Sequence, residues 1–426
     1  MRSERPRPRF ARITLGLISI CLYAASDASA SAAGLSIAEL IDIAVQDNRD
    51  LQAARYVEQR ARARLVQAGL RPNPRLEVTT ENDRLFGNAG EYSAGVGVSQ
   101  PFPIAGRIAR QKDVSRADVD LALMEIKEVE RKLAGDVTVA LFRILGLDRQ
   151  ISIRDRLVGI NQQLVEVTRH RFRAAEVSEL DTNAAELDLQ RLRQERALLQ
   201  SERTTRYAEL NQLLGRAATE PLNLDDTAPN RELSSLDVQQ RAALERRPDL
   251  QLARLNIGRA RAEQGLARAE RWEDWSVSLG VTQNRLAIDN SSAQSANRAL
   301  GVAISIPLPL FNKNQGRIAE TAASEAQADA KLEALALSIR NEVATAYAEA
   351  ERLQHLLVTY EQETLPVSER NVKLAQKSYT QGLVTIVEVV QAQRQQGDLS
   401  VGYINTFDQY LQALAKLFTA TATYSE

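Results

Sequence analysis

The 426-residue chain carries 26% charged, 44% hydrophobic and only 5% aromatic residues, with a formal net charge of -1. That length suits two ordinary domains or one elongated body, and the near-neutral balance excludes the basic footprint of a nucleic-acid-binding protein. Cysteine is confined to Cys21 and methionine to Met1 and Met124, which excludes a disulfide framework, a cysteine-ligated zinc site and an iron–sulfur cluster.

Residues 1–30 have the layout of a secretory signal peptide. Arg2, Arg5, Arg7, Arg9 and Arg12 form a positive start, Ile13 to Ala25 a short apolar run, and Ala28-Ser29-Ala30 a small-residue cleavage site. Cys21 belongs to the discarded run, because Ile20 stands where a lipoprotein signal requires a small residue. No later stretch reaches the ~18 apolar residues of a membrane-spanning helix. Any membrane contact of the mature chain therefore falls to β-strands.

Residues 36–70, rich in Ala, Leu, Arg and Gln and free of proline, predict one helix, with Ser36 as N-cap and Glu39 completing a capping box. Arg71-Pro72-Asn73-Pro74 ends it. Alternation then predicts a hairpin: Leu76 and Val78 set against Glu77 and Thr79, and Tyr92, Ala94, Val96 and Val98 against Ser93, Gly95, Gly97 and Ser99. The almost breaker-free stretch from Gly106 to Phe172 predicts a helix ~100 Å long at ~1.5 Å per residue. Helices over 180–214 and 236–271 return about half that length each, around a linker at 215–235 that contains Pro221, Asp225, Asp226 and Pro229. A second hairpin sets Trp275, Val277, Leu279 and Val281 against Ser276, Ser278, Gly280 and Thr282. Its partner strand sets Leu300, Val302, Ile304 and Ile306 against Ala299, Gly301, Ala303 and Ser305. A second long helix is expected from Gly316 to Tyr379, and 385–420 pairs in length with 36–70.

The order of elements is a duplication. Asp50-Leu51-Gln52 recurs as Asp249-Leu250-Gln251, Arg60-Ala61-Arg62-Ala63 as Arg259-Ala260-Arg261-Ala262, and Gly106-Arg107-Ile108-Ala109 as Gly316-Arg317-Ile318-Ala319. Two copies of one unit, 31–225 and 226–426, predict internal pseudo-twofold symmetry. The fold class expected is mainly α with a small β part: a long helical bundle with a sheet at one end. The strands have the length of outer-membrane strands, apolar on one face and Ser, Gly and Thr on the other. Four strands cannot close a barrel, and open edges are not tolerated in lipid, so the sheet is expected to be completed by other copies. Three protomers would give twelve strands around a water-filled lumen, a homotrimer in contact with outer-membrane lipid.

On the duplicated order and the paired motifs Phe172-Arg173-Ala174-Ala175-Glu176-Val177-Ser178-Glu179-Leu180-Asp181 and Tyr379-Thr380-Gln381-Gly382-Leu383-Val384-Thr385-Ile386-Val387-Glu388, the chain resembles the TolC-like outer-membrane efflux protein family. The runs Gln100-Pro101-Phe102-Pro103 and Pro307-Leu308-Pro309-Leu310-Phe311-Asn312-Lys313-Asn314-Gln315-Gly316 look like its CzcC-like, heavy-metal cation efflux branch. The resemblance implies a trimeric channel-tunnel: a transmembrane β-barrel in the bacterial outer membrane, continued by an α-helical barrel in the periplasm. Its implied partners are a periplasmic adaptor and an inner-membrane proton-driven pump. A duct for drugs or for type I secretion is the alternative within the same architecture, and a purely periplasmic coiled-coil adaptor is the alternative outside it.

The resemblance also implies two sets of residues. The periplasmic tips, where an adaptor would dock, comprise Phe172, Ala175, Val177, Ser178 and Asp181 in the first turn and Gly382, Val384 and Thr385 in the second. A gate at the closed end would use Glu388 in a ring of three carboxylates, with Gln391 where a second acidic residue often follows and Tyr379 as a hydrogen-bonding group. Gly382 suits the left-handed residue that closes a helix. Its counterpart Ala175 would pay on the order of 1 kcal/mol there, so the first turn is expected to differ in shape. No catalytic constellation is expected, and no cofactor, metal or nucleic acid: His170 and His355 are far apart in sequence, and neither turn motif pairs a nucleophile with a base. The charged runs, such as Arg191-Leu192-Arg193-Gln194-Glu195-Arg196, have the composition of solvated helix faces laced by i,i+4 pairs.

Overall fold

The computed structural model describes residues 34–82, 91–225, 232–285 and 297–424. The signal peptide expected over 1–30 and part of the linker lie outside the described residues. The elements in chain order are α1 (Ile37–Asp47), α2 (Arg49–Ala68), β1 (Arg75–Asn82), β2 (Tyr92–Phe102), α3 (Arg107–Arg173), α4 (Glu179–Leu213), α5 (Leu236–Arg246), α6 (Pro248–Ala269), β3 (Trp275–Arg285), β4 (Asn297–Ser305), α7 (Gln315–Thr359), α8 (Leu365–Thr380) and α9 (Ile386–Thr421). A five-residue π-turn, Tyr360–Thr364, joins α7 to α8.

The capping box at the first helix forms as expected. Ser36 Oγ accepts from the Glu39 amide, and the Glu39 carboxylate accepts from the Ser36 amide at 2.8 Å. The single helix expected over 36–70 does not: it breaks at Asn48, whose backbone is extended at φ -61°, ψ 122°. The Asn48 side chain accepts from the Leu51 amide and donates to the Leu213 carbonyl, both at 2.9 Å. One amide thus caps α2 and ties it to the end of α4. The helix expected over 236–271 breaks at the equivalent residue, Arg247, with φ -66° and ψ 122°. Pro248 follows in the first turn of α6, where its missing N–H costs nothing. The break is therefore part of the repeated unit.

The two long arms differ. α3 runs 67 residues without interruption. The second arm, expected to be one helix, is 45 residues of α7, the π-turn and 16 residues of α8. Pro366 is the cause: it offers no N–H to Gln362, and its ring crowds that carbonyl, so the helix widens just before it. The widened turn is held by α9. Tyr360 and Tyr403 pack edge to face at 6.1 Å, and the Tyr403 hydroxyl donates to Glu361 at 2.6 Å.

The buried core lies midway along the arms, where Val137, Leu141 and Phe142 of α3 meet Leu40 and Leu51, Leu210 of α4, Leu353 and Leu357 of α7, and Tyr410 and Leu414 of α9. Burial of each such side chain contributes roughly 1.5–3 kcal/mol. At the same level two buried arginines close the C-terminus of α9. Arg131 donates to the Thr419 carbonyl at 2.7 Å and Arg247 to the Ala420 carbonyl at 3.1 Å. Glu128 pairs with Arg131 at 2.8 Å, and Asp249 and Glu342 each pair with Arg247 at 2.7 Å. The orphan carbonyls of the last turn are thus met by charged donors, one from each copy. The Tyr424 hydroxyl donates to the Arg131 carbonyl at 2.7 Å, and burial pushes its pKa up to about 12. The linker is fastened as well: Leu224 and Leu35 form a parallel bridge, and Gly215, at φ 71°, passes so close to the Asp47 backbone that a Cβ would collide with it.

Candidate functional site: the paired tips and the open sheet

At the far end of the arms the two turns are superposable in their hydrogen bonds. In the first, Ala174 N donates to the His170 carbonyl, Ala175 N to Phe172 and Glu176 N to Arg171, at 3.2, 2.9 and 2.9 Å. In the second, Gln381 N donates to Lys377, Gly382 N to Tyr379 and Leu383 N to Ser378, at 3.2, 3.0 and 2.9 Å. Both are Schellman closures with the left-handed residue in place, Ala175 at φ 59° and Gly382 at φ 75°. The expected difference in shape is absent; the alanine adopts the strained conformation because the bonds on either side of it hold it there.

Each turn then opens a helix with the same cap. Ser178 Oγ accepts from the Asp181 amide at 3.2 Å, while the Asp181 carboxylate accepts from the Ser178 amide at 3.1 Å. In the second turn the Glu388 carboxylate accepts from the Thr385 amide at 2.8 Å. Glu388 is therefore the third residue of α9, exposed in the protomer, with one oxygen engaged in its own helix cap. Gln391 is exposed one turn further on. Val177 and Val384 are half-buried at matching positions, and Phe172 is exposed.

The structure joins the two turns through a residue that sequence reasoning missed. The Arg171 guanidinium lies over the Tyr379 ring, 4.3 Å from its centroid. The Tyr379 hydroxyl is buried and has no hydrogen-bond partner among the described residues. Further along, Arg394 of α9 pairs with Asp188 of α4 at 2.6 Å, and Arg169 with Glu186 at 2.7 Å. Arg171 sits in a run of basic residues that has the same composition as any solvated helix end, so nothing in the sequence singled it out.

At the opposite end the strands form one antiparallel sheet in the order β1-β2-β3-β4, so the two hairpins join through β2 and β3. Register places Leu76, Val98, Leu279 and Val302 in one row and Val78, Val96, Val281 and Leu300 in the next. All eight are exposed in the protomer. The other face carries Glu77, Gly97, Gly280 and Gly301 in one row. Among the described residues β1 pairs only with β2, and β4 only with β3. Arg107, at the start of α3, pairs with Asp274 beside β3 at 2.6 Å and fixes the sheet on its helices. Among the described residues no helix is long and apolar enough to cross a membrane.

The chain matches the outer membrane efflux protein family over residues 40–216 and 240–423. It is 22% identical over 388 residues to the cobalt-zinc-cadmium resistance protein CzcC of Cupriavidus metallidurans, covering 90% of this chain and 89% of that one. Among solved structures, a membrane protein from Pseudomonas aeruginosa aligns with a TM-score of 0.71 at 19% identity, covering 91% of this chain and 90% of that one. CusC, solved in a study of transmembrane channel formation, aligns with a TM-score of 0.69 at 22% identity, covering 90% and 91%. With both matched stretches spanning the two duplicated halves, the chain belongs to the outer membrane efflux protein family.

Proposed function

We propose that three copies of this chain form the outer-membrane exit duct of a tripartite system that expels heavy-metal cations, working with a periplasmic adaptor and an inner-membrane proton-driven pump. The observation that carries this reading is the sheet: four strands, apolar on one face, with both edges unpaired among the described residues, mounted on a helical arm ~100 Å long. In lipid each unpaired backbone group costs several kcal/mol. Two further copies supply the missing partners and enclose a lumen of twelve strands. Glu77 and Glu81 lie on the polar face, so the lumen wall carries carboxylates that draw cations. The metal cargo rests on the similarity to the cobalt-zinc-cadmium resistance protein. The two copies, 31–225 and 226–426, each contribute one hairpin and one arm, and the duct moves its cargo passively.

In this reading the turns at 172–181 and 379–388 dock the adaptor, and Glu388 lines the constriction. Glutamine at 388 keeps a cap acceptor and removes the charge, so Glu388→Gln isolates the ring. In a planar bilayer, block by trivalent cations and cation selectivity should both weaken; unchanged values would place Glu388 away from the constriction. The function as a whole is tested by native mass in detergent, where three chains are expected, and by expression in a strain lacking its own duct. Restored tolerance to cobalt, zinc or cadmium supports the reading. Restored drug tolerance alone assigns the cargo to the drug class, and a stable monomer in the membrane overturns the assembly.

A further inference from the structure

The apolar row of β4 does not stop where the strand stops. Leu300, Val302 and Ile304 alternate along β4, and the same alternation continues through Ile306, Leu308 and Leu310 in the segment between β4 and α7. Burial alternates with it: Pro307 and Pro309 are half-buried, while Leu308 and Leu310 are 68% and 66% exposed and Phe311 is 91% exposed. Pro307 and Pro309 offer no N–H to a neighbouring strand, so this stretch ends the ladder while holding an extended path. At Pro309 the path bends, with Leu310 N donating to the Leu308 carbonyl at 2.8 Å. The first copy lacks this feature. There, only Ile104 and Ala105 separate Pro103 from Gly106, whereas six residues separate Pro309 from Gly316.

The height of the sheet's apolar band points in the same direction. From the level of Leu300 down to that of Trp275 and Phe102, which are paired, the band covers seven residues of β3, a run of six steps. At ~3.3 Å per residue and a tilt of ~40° that is about 15 Å, against the ~25 Å band of an outer-membrane barrel. Upward extension is blocked among the described residues by the row Thr80, Ala94, Gln283 and Arg298, three of them polar. Downward, Leu308 lies two residues further on, and Leu310 and Phe311 lie at the bend.

We infer that the segment Ile306–Phe311 lies at membrane depth and that its occupant is phospholipid: Leu308, Leu310 and Phe311 dip into the periplasmic leaflet of the outer membrane and complete the lower edge of the lipid-facing band. The aromatic rim fits such a boundary. Phe102, Trp272 and Trp275 are exposed around the same end of the sheet, and amphipathic rings collect at the headgroup level. Lys313 follows the apolar run and reaches headgroup phosphates. The inference rests on the reading of the sheet as a barrel wall, and the experiment separates the two.

Single cysteines at Val302, Leu308, Leu310, Phe311 and, as a periplasmic reference, Gln381 are spin-labelled in full-length protein reconstituted in phospholipid vesicles, with collision by oxygen and by a water-soluble nickel complex as the readout. The expected result is oxygen access with loss of nickel access at 302, 308, 310 and 311, and nickel access at 381. If 302 is lipid-like while 308–311 admit nickel, the segment is in the periplasm and the inference is overturned. Shielding of 308–311 from both agents, with 302 lipid-like, assigns the cover to a neighbouring copy and overturns it equally. Failure of 302 itself overturns the wall reading beneath it. A second measurement does not need labelling: Phe311→Trp in a Trp272→Phe/Trp275→Phe background should be quenched by phospholipids brominated on the acyl chain near the headgroup, and absence of quenching overturns the inference.

Discussion

The two outgoing arms perform one task with different backbones. α3 spans 67 residues unbroken, whereas the second arm spends five residues in a π-turn before α8. Counting back from the matched tips, Pro366 of the second arm falls opposite Gly159 of the first. One residue type ends a helix ladder and the other is tolerated within it. Yet the tips themselves, carrying Ala175 and Gly382, close with the same three hydrogen bonds. The comparison teaches that a repeated unit preserves its termini, where orphan backbone groups demand partners. Its interior absorbs a break provided that a neighbour packs against it, as Tyr403 does against Tyr360.

The largest effect should come from the level where both arms are anchored. Phe142→Ala removes a fully buried ring that packs edge to face on Phe418 at 6.3 Å, and should cost roughly 3–5 kcal/mol. Leu353→Ala on the second arm, also buried, should cost roughly 2–5 kcal/mol. Thermal unfolding in detergent measures both, and equal losses near zero would mean that the arms are not anchored at this level.

Next comes an attempt to convert one arm into the other. Gly159→Pro places a helix breaker at an exposed point of α3 that has no π-turn in front of it, and should cost about 3 kcal/mol. Pro366→Ala in the second arm should change stability by less than ~1 kcal/mol, because the widened turn is already held by α9. If both substitutions cost the same, the π-turn is not the accommodation described above.

At the tips, Ala175→Gly should stabilise and Gly382→Ala destabilise, each by on the order of 1 kcal/mol, because both positions are left-handed. The double exchange should nearly cancel. Protease cleavage of the turns in the assembled protein reads this directly, and unequal effects would show that one turn is shaped differently after all.

The smallest expected effect is pH-dependent. Burial pushes the Asp249 carboxyl up, but hydrogen bonding and charge from Arg247, with charge from Arg131, outweigh it and leave the group below its ordinary value. A carboxylate held low in the folded state contributes stability above the unfolded value near ~4, lost as pH falls through the lowered one. Acid should therefore loosen the clamp on the end of α9, and Asp249→Asn should flatten that part of the stability profile. A profile unchanged by the substitution would remove Asp249 from the account.

Much of the molecule was legible because its signals are local and periodic. The hairpins followed from alternation, the long arms from the lack of breakers, and the capping box at Ser36 from an acceptor three residues ahead of an acidic side chain. The duplication made each signal appear twice. By itself the sequence determined the order of elements, the apolar and polar faces of the sheet and the two closing turns, since each depends on residues within a few positions of one another. Only the tertiary structure decided the breaks at Asn48 and Arg247, where the second hydrogen bond reaches Leu213 or Ala420 across the bundle. It alone decided the stacking of Arg171 on Tyr379 and the two arginines that close α9. Those choices rest on partners more than a hundred positions away, and a periodic pattern carries no record of which distant group will satisfy a buried donor.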